Sequence, residues 1–119
     1  FSVYILHLVC QWMIDSGGLD FFEQQSIKHS NLLYEQLESY SEKLILPVSK
    51  FARSRSNIVF NFVDNNLEKE FLSEAGKQNI VGIKGHRSVG GIRISLYNSV
   101  DSEMVDYISE FISKFFKKI

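Results

Sequence analysis

Four arginines occur in the 119 residues, and two of them share the run Lys84-Gly85-His86-Arg87-Ser88-Val89-Gly90-Gly91-Ile92-Arg93 with a lysine and a histidine. Planar guanidinium forks bind carboxylate or phosphate in bidentate fashion, and a neighbouring Lys or His adds charge and a further donor. The glycines of the run leave backbone amides accessible and permit unusual dihedrals. These residue types make either an anion site or a glycine hairpin whose basic side chains are merely solvated, and composition alone leaves both open. Alternation favours the site at one position. Arg93 falls between Ile92 and Ile94, so it projects from a strand, and a strand-mounted arginine is held well enough to orient a carboxylate. His86 and Arg87 lie on the loop before it, so two anionic groups of one small molecule can be bound together. A second pair, Arg53 and Arg55, precedes the strand at Ile58; whether it meets a ligand, a partner subunit or neither is open at this stage.

The elements that must position these residues follow from spacing. Helical periodicity in FSVYILHLVCQWMI stops at Gly17-Gly18, a pair suited to a helix C-terminus. A second helix is expected from about Leu19 to Tyr40, with Phe22, Ile27, Leu33, Leu37 and Tyr40 on its apolar face. Leu44 to Val48 is a candidate short strand that Pro47 confines to an edge or a strand end. Ile58, Phe60 and Phe62 alternate as in a half-buried strand, and Asp64-Asn65-Asn66 caps a helix from about Leu67 to Lys77. Ile80 to Ile83 reads as a strand, residues 84–91 as a loop, and Ile92 to Tyr97 as a strand again. The last helix starts near Asp101 or Ser102, with Met104, Ile108, Phe111, Ile112, Phe115 and Ile119 as its stripe and Lys114, Lys117 and Lys118 at the end where the dipole favours cations. The order predicts an α/β (α+β) arrangement, a small, mostly antiparallel sheet with helices packed on one face.

Composition narrows the function classes. Thirteen Lys and Arg against 14 Asp and Glu give a net charge of -1, without the basic excess a nucleic-acid binder uses to displace counterions. One cysteine cannot close an intrachain disulfide, and no Cys/His cluster has zinc spacing, so a reducing, cytoplasmic setting without a structural metal is expected. The opening apolar stretch is short of the roughly 20 residues of a membrane span and lacks the flanks of a signal peptide. It opens without Met or an N-cap residue, which points to a boundary within a longer protein, the helix packing on something upstream. A helix apolar nearly all round is buried on several sides, so Cys10 is expected as a buried small hydrophobe, His7 as a hydrogen-bonded interior residue and Trp12 as core. His29, on the polar part of its helix, reads as a solvated surface histidine.

The run KGHRSVGGIRISLYN, residues 84–98, resembles the C-terminal motif of the phosphoserine aminotransferases, pyridoxal-phosphate enzymes of the aspartate-aminotransferase fold. Similarity extends through FSVYILHLVCQWMIDSGGLDFFEQQSIKHSNLLYEQLE, RSRSN, LEKEFLSEAGKQNIVGIKGHR and the closing amphipathic helix, essentially the whole chain. Departures are mild: Val59 and Asp101 stand where relatives often have proline. The resemblance implies that His86 and Arg87 bind the substrate phosphate and Arg93 the α-carboxylate, with Tyr97 and Asn98 either lining the site or structural. It implies transfer of an amino group between glutamate and 3-phosphohydroxypyruvate, giving O-phosphoserine and 2-oxoglutarate in serine biosynthesis. Some bacterial members also serve pyridoxine synthesis.

It further implies a homodimer whose partners are these small molecules, neither nucleic acid nor membrane, and pyridoxal 5'-phosphate as cofactor. None of the nine lysines stands in the family's Schiff-base motif, so no catalytic or cofactor-binding residue is expected in this stretch, and the chain alone is expected to be inert. The expected division is a helix over residues 1–16 connecting to a large pyridoxal-phosphate domain, and a C-terminal small domain of fold type I over 17–119. Two other readings compete. A related aminotransferase or desulfurase would keep Arg93 without needing His86 and Arg87, and a stand-alone interaction domain would use the first helix as its interface.

Overall fold

Alternation at Ile58, Phe60 and Phe62 sets the middle of the molecule. In the computed structural model, which describes residues 1–119, these three are buried on strand β2 (Asn57–Phe62), while Asn57, Val59 and Asn61 point the other way and are half-buried. Two antiparallel neighbours flank β2. Strand β1 (Leu44–Ile45) pairs Leu44 with Phe62, and β3 (Ile92–Ser95) pairs Ile92 with Phe60, Ile94 with Ile58 and Arg93 with Val59. Because side chains alternate with period two, this register sends Ile92 and Ile94 into the core and Arg93 and Ser95 to the opposite face with Asn57, Val59 and Asn61.

Helices cover the inner face, so the expected antiparallel sheet with helices on one face is what forms. Helix α2 (Gly18–Glu38) contributes Leu33, Tyr34 and Leu37, α3 (Asn65–Lys77) Phe71 and Ala75, and α4 (Ser102–Lys118) Val105, Ile108, Phe111, Ile112, Phe115 and Phe116. Aromatic rings fill the space between layers. Phe71, fully buried, meets Phe115 edge-on at 5.0 Å, Phe62 stacks on Phe116 at 5.8 Å, and Tyr40 stacks on Phe116 at 4.2 Å. Each such ring contributes about 1.5–3 kcal/mol by leaving water. The Asp64 carboxylate accepts the Asn66 N–H at 2.8 Å and the Asp101 carboxylate the Met104 N–H at 2.9 Å, so α3 and α4 start at side-chain caps.

Several expectations are corrected. Residues 80–83 are not a strand: Asn79 at φ 58° and Gly82 at φ 74° break the extended backbone, and only Lys84 bridges to Ile92. Strand β1 is two residues rather than five, since the chain leaves the sheet before Pro47, and β3 ends at Ser95, two residues short of Tyr97. Met104 and Ile119 are exposed; Val105 and Phe116 complete the apolar stripe of α4.

His29 is buried at 4% exposure, not solvated, because α4 packs over it and Ser102 Oγ lies 3.0 Å from its Nε2. Burial holds its pKa below the usual histidine range, with Lys28 pushing the same way and Asp106 and Asp101 opposing. Gln25 and Gln36 add further ties between these parts, donating to Val100 O at 3.2 Å and to Ser109 O at 2.8 Å.

Helix α1 (Ser2–Asp15) is where the expected helix lies, and this chain leaves it uncovered. It forms, and Gly17 at φ 115° with Gly18 at φ 72° turns it into α2, but none of its residues is buried. Cys10 and His7 are exposed, and Trp12, half exposed, touches only the edge of the core through Phe22 at 5.1 Å between ring centroids. Within this chain α1 packs mainly on α2. No helix is long and apolar enough to cross a membrane.

Candidate anion-binding site

The basic, glycine-containing run of residues 84–93 folds as a closed hairpin on the edge of the sheet. Arg93 N–H donates to Ile83 O at 2.7 Å and Gly85 N–H to Gly91 O at 2.7 Å, while His86 O accepts from Val89 N–H at 3.0 Å and Gly90 N–H at 2.8 Å. Glycine is required at this closure. Gly90 and Gly91 adopt φ of 73° and 71°, and a side chain on Gly85 or Gly91 would run into the Gly90 carbonyl or the Asn61 side chain respectively. The hairpin is thereby pressed against β2 instead of swinging free.

Lys84, Gly85, His86, Arg87 and Gly90 line one depression of about 430 Å³. No carboxylate faces into it, and Lys84 and Arg87 form no ion pair, a state they share with Lys28, Lys43, Lys69, Lys117 and Arg93; what sets them apart is that they lie together with His86 around one depression. On a chain of net charge -1, that is a local concentration of unneutralised cation. His86 contributes a directed donor. Its Nδ1 lies 2.7 Å from Ser88 Oγ and accepts the Ser88 N–H at 3.2 Å, which places the ring proton of the neutral imidazole on Nε2.

Arg93 stands on the adjoining strand, outside the lining of that depression. It is half-buried on the outer sheet face, and its Nε is buried without any hydrogen-bond partner. A buried donor with no acceptor is costly, about 1–3 kcal/mol and more for a charged group, and such an atom marks a position where an acceptor is wanted. The structure thus brings Lys84, His86 and Arg87 together and sets Arg93 apart from them. Asn57, Asn61 and Ser95 share the face of Arg93, with Ser95 Oγ donating to Asn57 Oδ1 at 3.3 Å. Alternation around Ile94 already puts Ser95 on the side of Arg93, and the same period around Ile58 puts Asn57 and Asn61 opposite the buried residues of β2; the register of the two strands joins them on one face. Tyr97 and Asn98 are exposed beyond the end of β3.

The second arginine pair serves the fold. Arg53 donates to Glu38 Oε1 at 2.6 Å and Val48 O at 3.3 Å and lies 4.8 Å above the Tyr34 ring, while Tyr34 donates to Ser54 O at 3.0 Å. Hydrogen bonds from Arg53 and Lys50 hold the Glu38 carboxyl below its usual range. Burial pushes the Tyr34 phenol up. Arg55 reaches Glu23 at 3.4 Å on the surface. Elsewhere, no three His, Cys, Asp or Glu side chains converge as a metal ion needs.

Lysine placement bears on a covalently held cofactor. Eight of the nine lysines are exposed and Lys43 is half-buried, so none sits in a sheltered cleft where a carbonyl cofactor could be bound as a Schiff base. No lysine of this chain is therefore placed to hold pyridoxal phosphate as a Schiff base.

The chain is similar to known proteins along nearly its whole length. The probable phosphoserine aminotransferase of Dictyostelium discoideum is 40% identical over 117 residues, covering 97% of this chain and 31% of that protein, and the phosphoserine aminotransferase of Saccharomyces cerevisiae is 35% identical over 118 residues, covering 99% and 30%. The chain therefore spans about a third of the length of the curated relatives it matches. Among solved structures, phosphoserine aminotransferase from Bacillus circulans subsp. alkalophilus superposes with a TM-score of 0.94 at 34% identity over 99% of this chain and 33% of that one. A pyridoxal-phosphate-bound phosphoserine aminotransferase from Trichomonas vaginalis gives 0.79 at 26% identity over 87% and 30%. The family model described as Aminotransferase class-V matches residues 1–108. On that match and this fold, the chain belongs to the class-V aminotransferases.

Proposed function

We propose that these residues are the substrate-anion-recognising, C-terminal part of a phosphoserine aminotransferase. The whole enzyme exchanges an amino group between glutamate and 3-phosphohydroxypyruvate, giving O-phosphoserine and 2-oxoglutarate. The observation that carries the reading is the hairpin of residues 84–91, a turn closed by its own backbone hydrogen bonds, with two unpaired cations and an Nε2–H donor around one depression and no carboxylate facing it. A phosphate dianion, rich in acceptors, matches that set, and His86 and Arg87 are its ligands. Arg93 orients the α-carboxylate, supported by its mounting on β3 and its unpartnered Nε. Pyridoxal 5'-phosphate supplies the amino-group chemistry and is held by residues outside this chain.

The domain division belongs to the same proposal. Residues 17–119 form the small domain, and the helix within 1–16, whose apolar residues lack cover in this chain, docks on the large cofactor domain. The enzyme is a cytoplasmic homodimer acting on small molecules.

Binding of O-phosphoserine against serine tests the assignment, by backbone amide shifts of the protein in phosphate-free buffer. O-phosphoserine is expected to move the His86 and Arg87 signals and serine to leave them in place. Equal perturbation by serine would remove the phosphate from this site.

A further inference from the structure

The hydrogen bonds inside the hairpin give Ser88 a task that the residue types alone do not reveal. His86 is exposed on its turn, and an exposed imidazole rotates freely and exchanges between two tautomers, so its position in the chain does not aim it. Ser88 constrains both. Its hydroxyl lies 2.7 Å from Nδ1, and its backbone N–H donates to the same nitrogen at 3.2 Å. These two contacts at Nδ1 fix the orientation of the imidazole and occupy the Nδ1 lone pair, leaving Nε2–H as the outward donor. No group of the chain accepts from Nε2, and the ring lines the same depression as Lys84 and Arg87.

We propose that Ser88 is a positioning residue of the anion site, holding His86 as the Nε2–H tautomer in the orientation that presents this donor to a phosphate oxygen. The role rests on the reading of residues 84–90 as a phosphate site. Ser88 touches the imidazole and not the anion, so its effect passes through His86. Serine suits the place because it is short enough to turn back two residues and still leaves its own amide free to donate. Threonine keeps that hydroxyl, and alanine removes it while leaving the backbone donor.

The test uses the uniformly ¹⁵N-labelled protein, titrated with inorganic phosphate. In the unsubstituted protein His86 is expected as the Nε2–H tautomer with a hydrogen-bonded Nδ1, and phosphate is expected to move the His86 and Arg87 signals. Ser88→Ala is expected to shift the Nδ1 resonance and weaken phosphate binding about three- to ten-fold, the range of one lost neutral hydrogen bond. Ser88→Thr is expected to restore both. Because Ser88 is exposed, neither change removes core contacts. An unchanged Nδ1 resonance and affinity in Ser88→Ala overturns the role. If phosphate moves neither His86 nor Arg87 in the unsubstituted protein, the phosphate reading fails and the positioning role with it. That result is distinguishable, because the Nδ1 shift in Ser88→Ala still reports whether the two side chains are in contact.

Discussion

Arg93 and Arg87 carry the same charge in different settings, and their settings predict different losses. Arg87 sits on an exposed turn beside Lys84 and His86, while Arg93 is half-buried on β3 with an unpartnered Nε. In a transamination assay of the full-length protein, Arg93→Ala is expected to lower kcat/KM for every amino-acid substrate, glutamate included, by about 1.5–3 kcal/mol per charged hydrogen bond lost, roughly ten- to 150-fold. His86→Ala and Arg87→Ala are expected to fall by a similar factor only for the phosphorylated substrate. Arg87→Lys should recover little of it, because an ammonium is a point charge without the fork that grips two oxygens. Equal losses for phosphorylated and unphosphorylated substrates in all three alanine variants would end this division of labour. The candidate residues themselves were legible because basic side chains among glycines are rare in this sequence, and alternation already put Arg93 on a strand. The hydrogen bonds of Ser88 were not legible, since they depend on the closure of a particular turn.

At the scale of elements, the joint between α2 and α4 predicts a pH dependence. His29 is buried at that joint against Ser102, with Lys28 beside it and Asp101 and Asp106 opposing, and burial first, Lys28 second, hold its pKa below the unfolded value of about 6.5. Between those two values the unfolded chain binds the extra proton and the folded chain does not, so stability rises with pH there. Stability is therefore complete above about 6.5 and falls as pH drops through that value toward the lower folded pKa. The carboxyls of Glu38, Glu74 and Glu110, held low mainly by Arg53, Lys77 and Lys114 respectively, lose their contributions only in more acid solution. Urea midpoints across mildly acid pH are expected to fall for the natural protein and to stay nearly flat for His29→Gln; parallel curves would show that His29 does not set the slope. This joint also shows where sequence reading fails. The strand of Ile58, Phe60 and Phe62 and the final helix were legible because their periods are clean. His29 looked solvated because its own helix puts it among polar neighbours, and only the crossing of α4 buries it. Residues 80–83 looked like a strand from their apolar run, but left-handed Asn79 and Gly82 prevent it.

For the whole molecule, the decisive feature is a helix with no buried residue that is nevertheless apolar on most sides. Phe1, Val3, Tyr4, Leu6 and Ile14 are each more than 60% exposed, and Ile5, Leu8, Val9 and Trp12 more than 40%. Scattered surface hydrophobics are ordinary, but a contiguous apolar helix is not, since each such side chain gains about 1.5–3 kcal/mol when fully covered. In the proposed full-length enzyme the large domain provides that cover. In the 119-residue chain by itself, a second copy offers the same apolar surface, so concentration-dependent association through α1 is expected. Sedimentation velocity over a range of concentrations reads this directly. Val3→Lys with Leu6→Lys places two charges on the exposed helix without touching the core, and is expected to shift the chain toward monomer while leaving its unfolding midpoint nearly unchanged. Trp12 gives the independent control, because its fluorescence reports whether α1 still packs on Phe22 in the variant. A chain that stays monomeric at every concentration with α1 folded would mean that this face does not drive self-association. A variant that associates as strongly as the natural chain would move the contact to another surface.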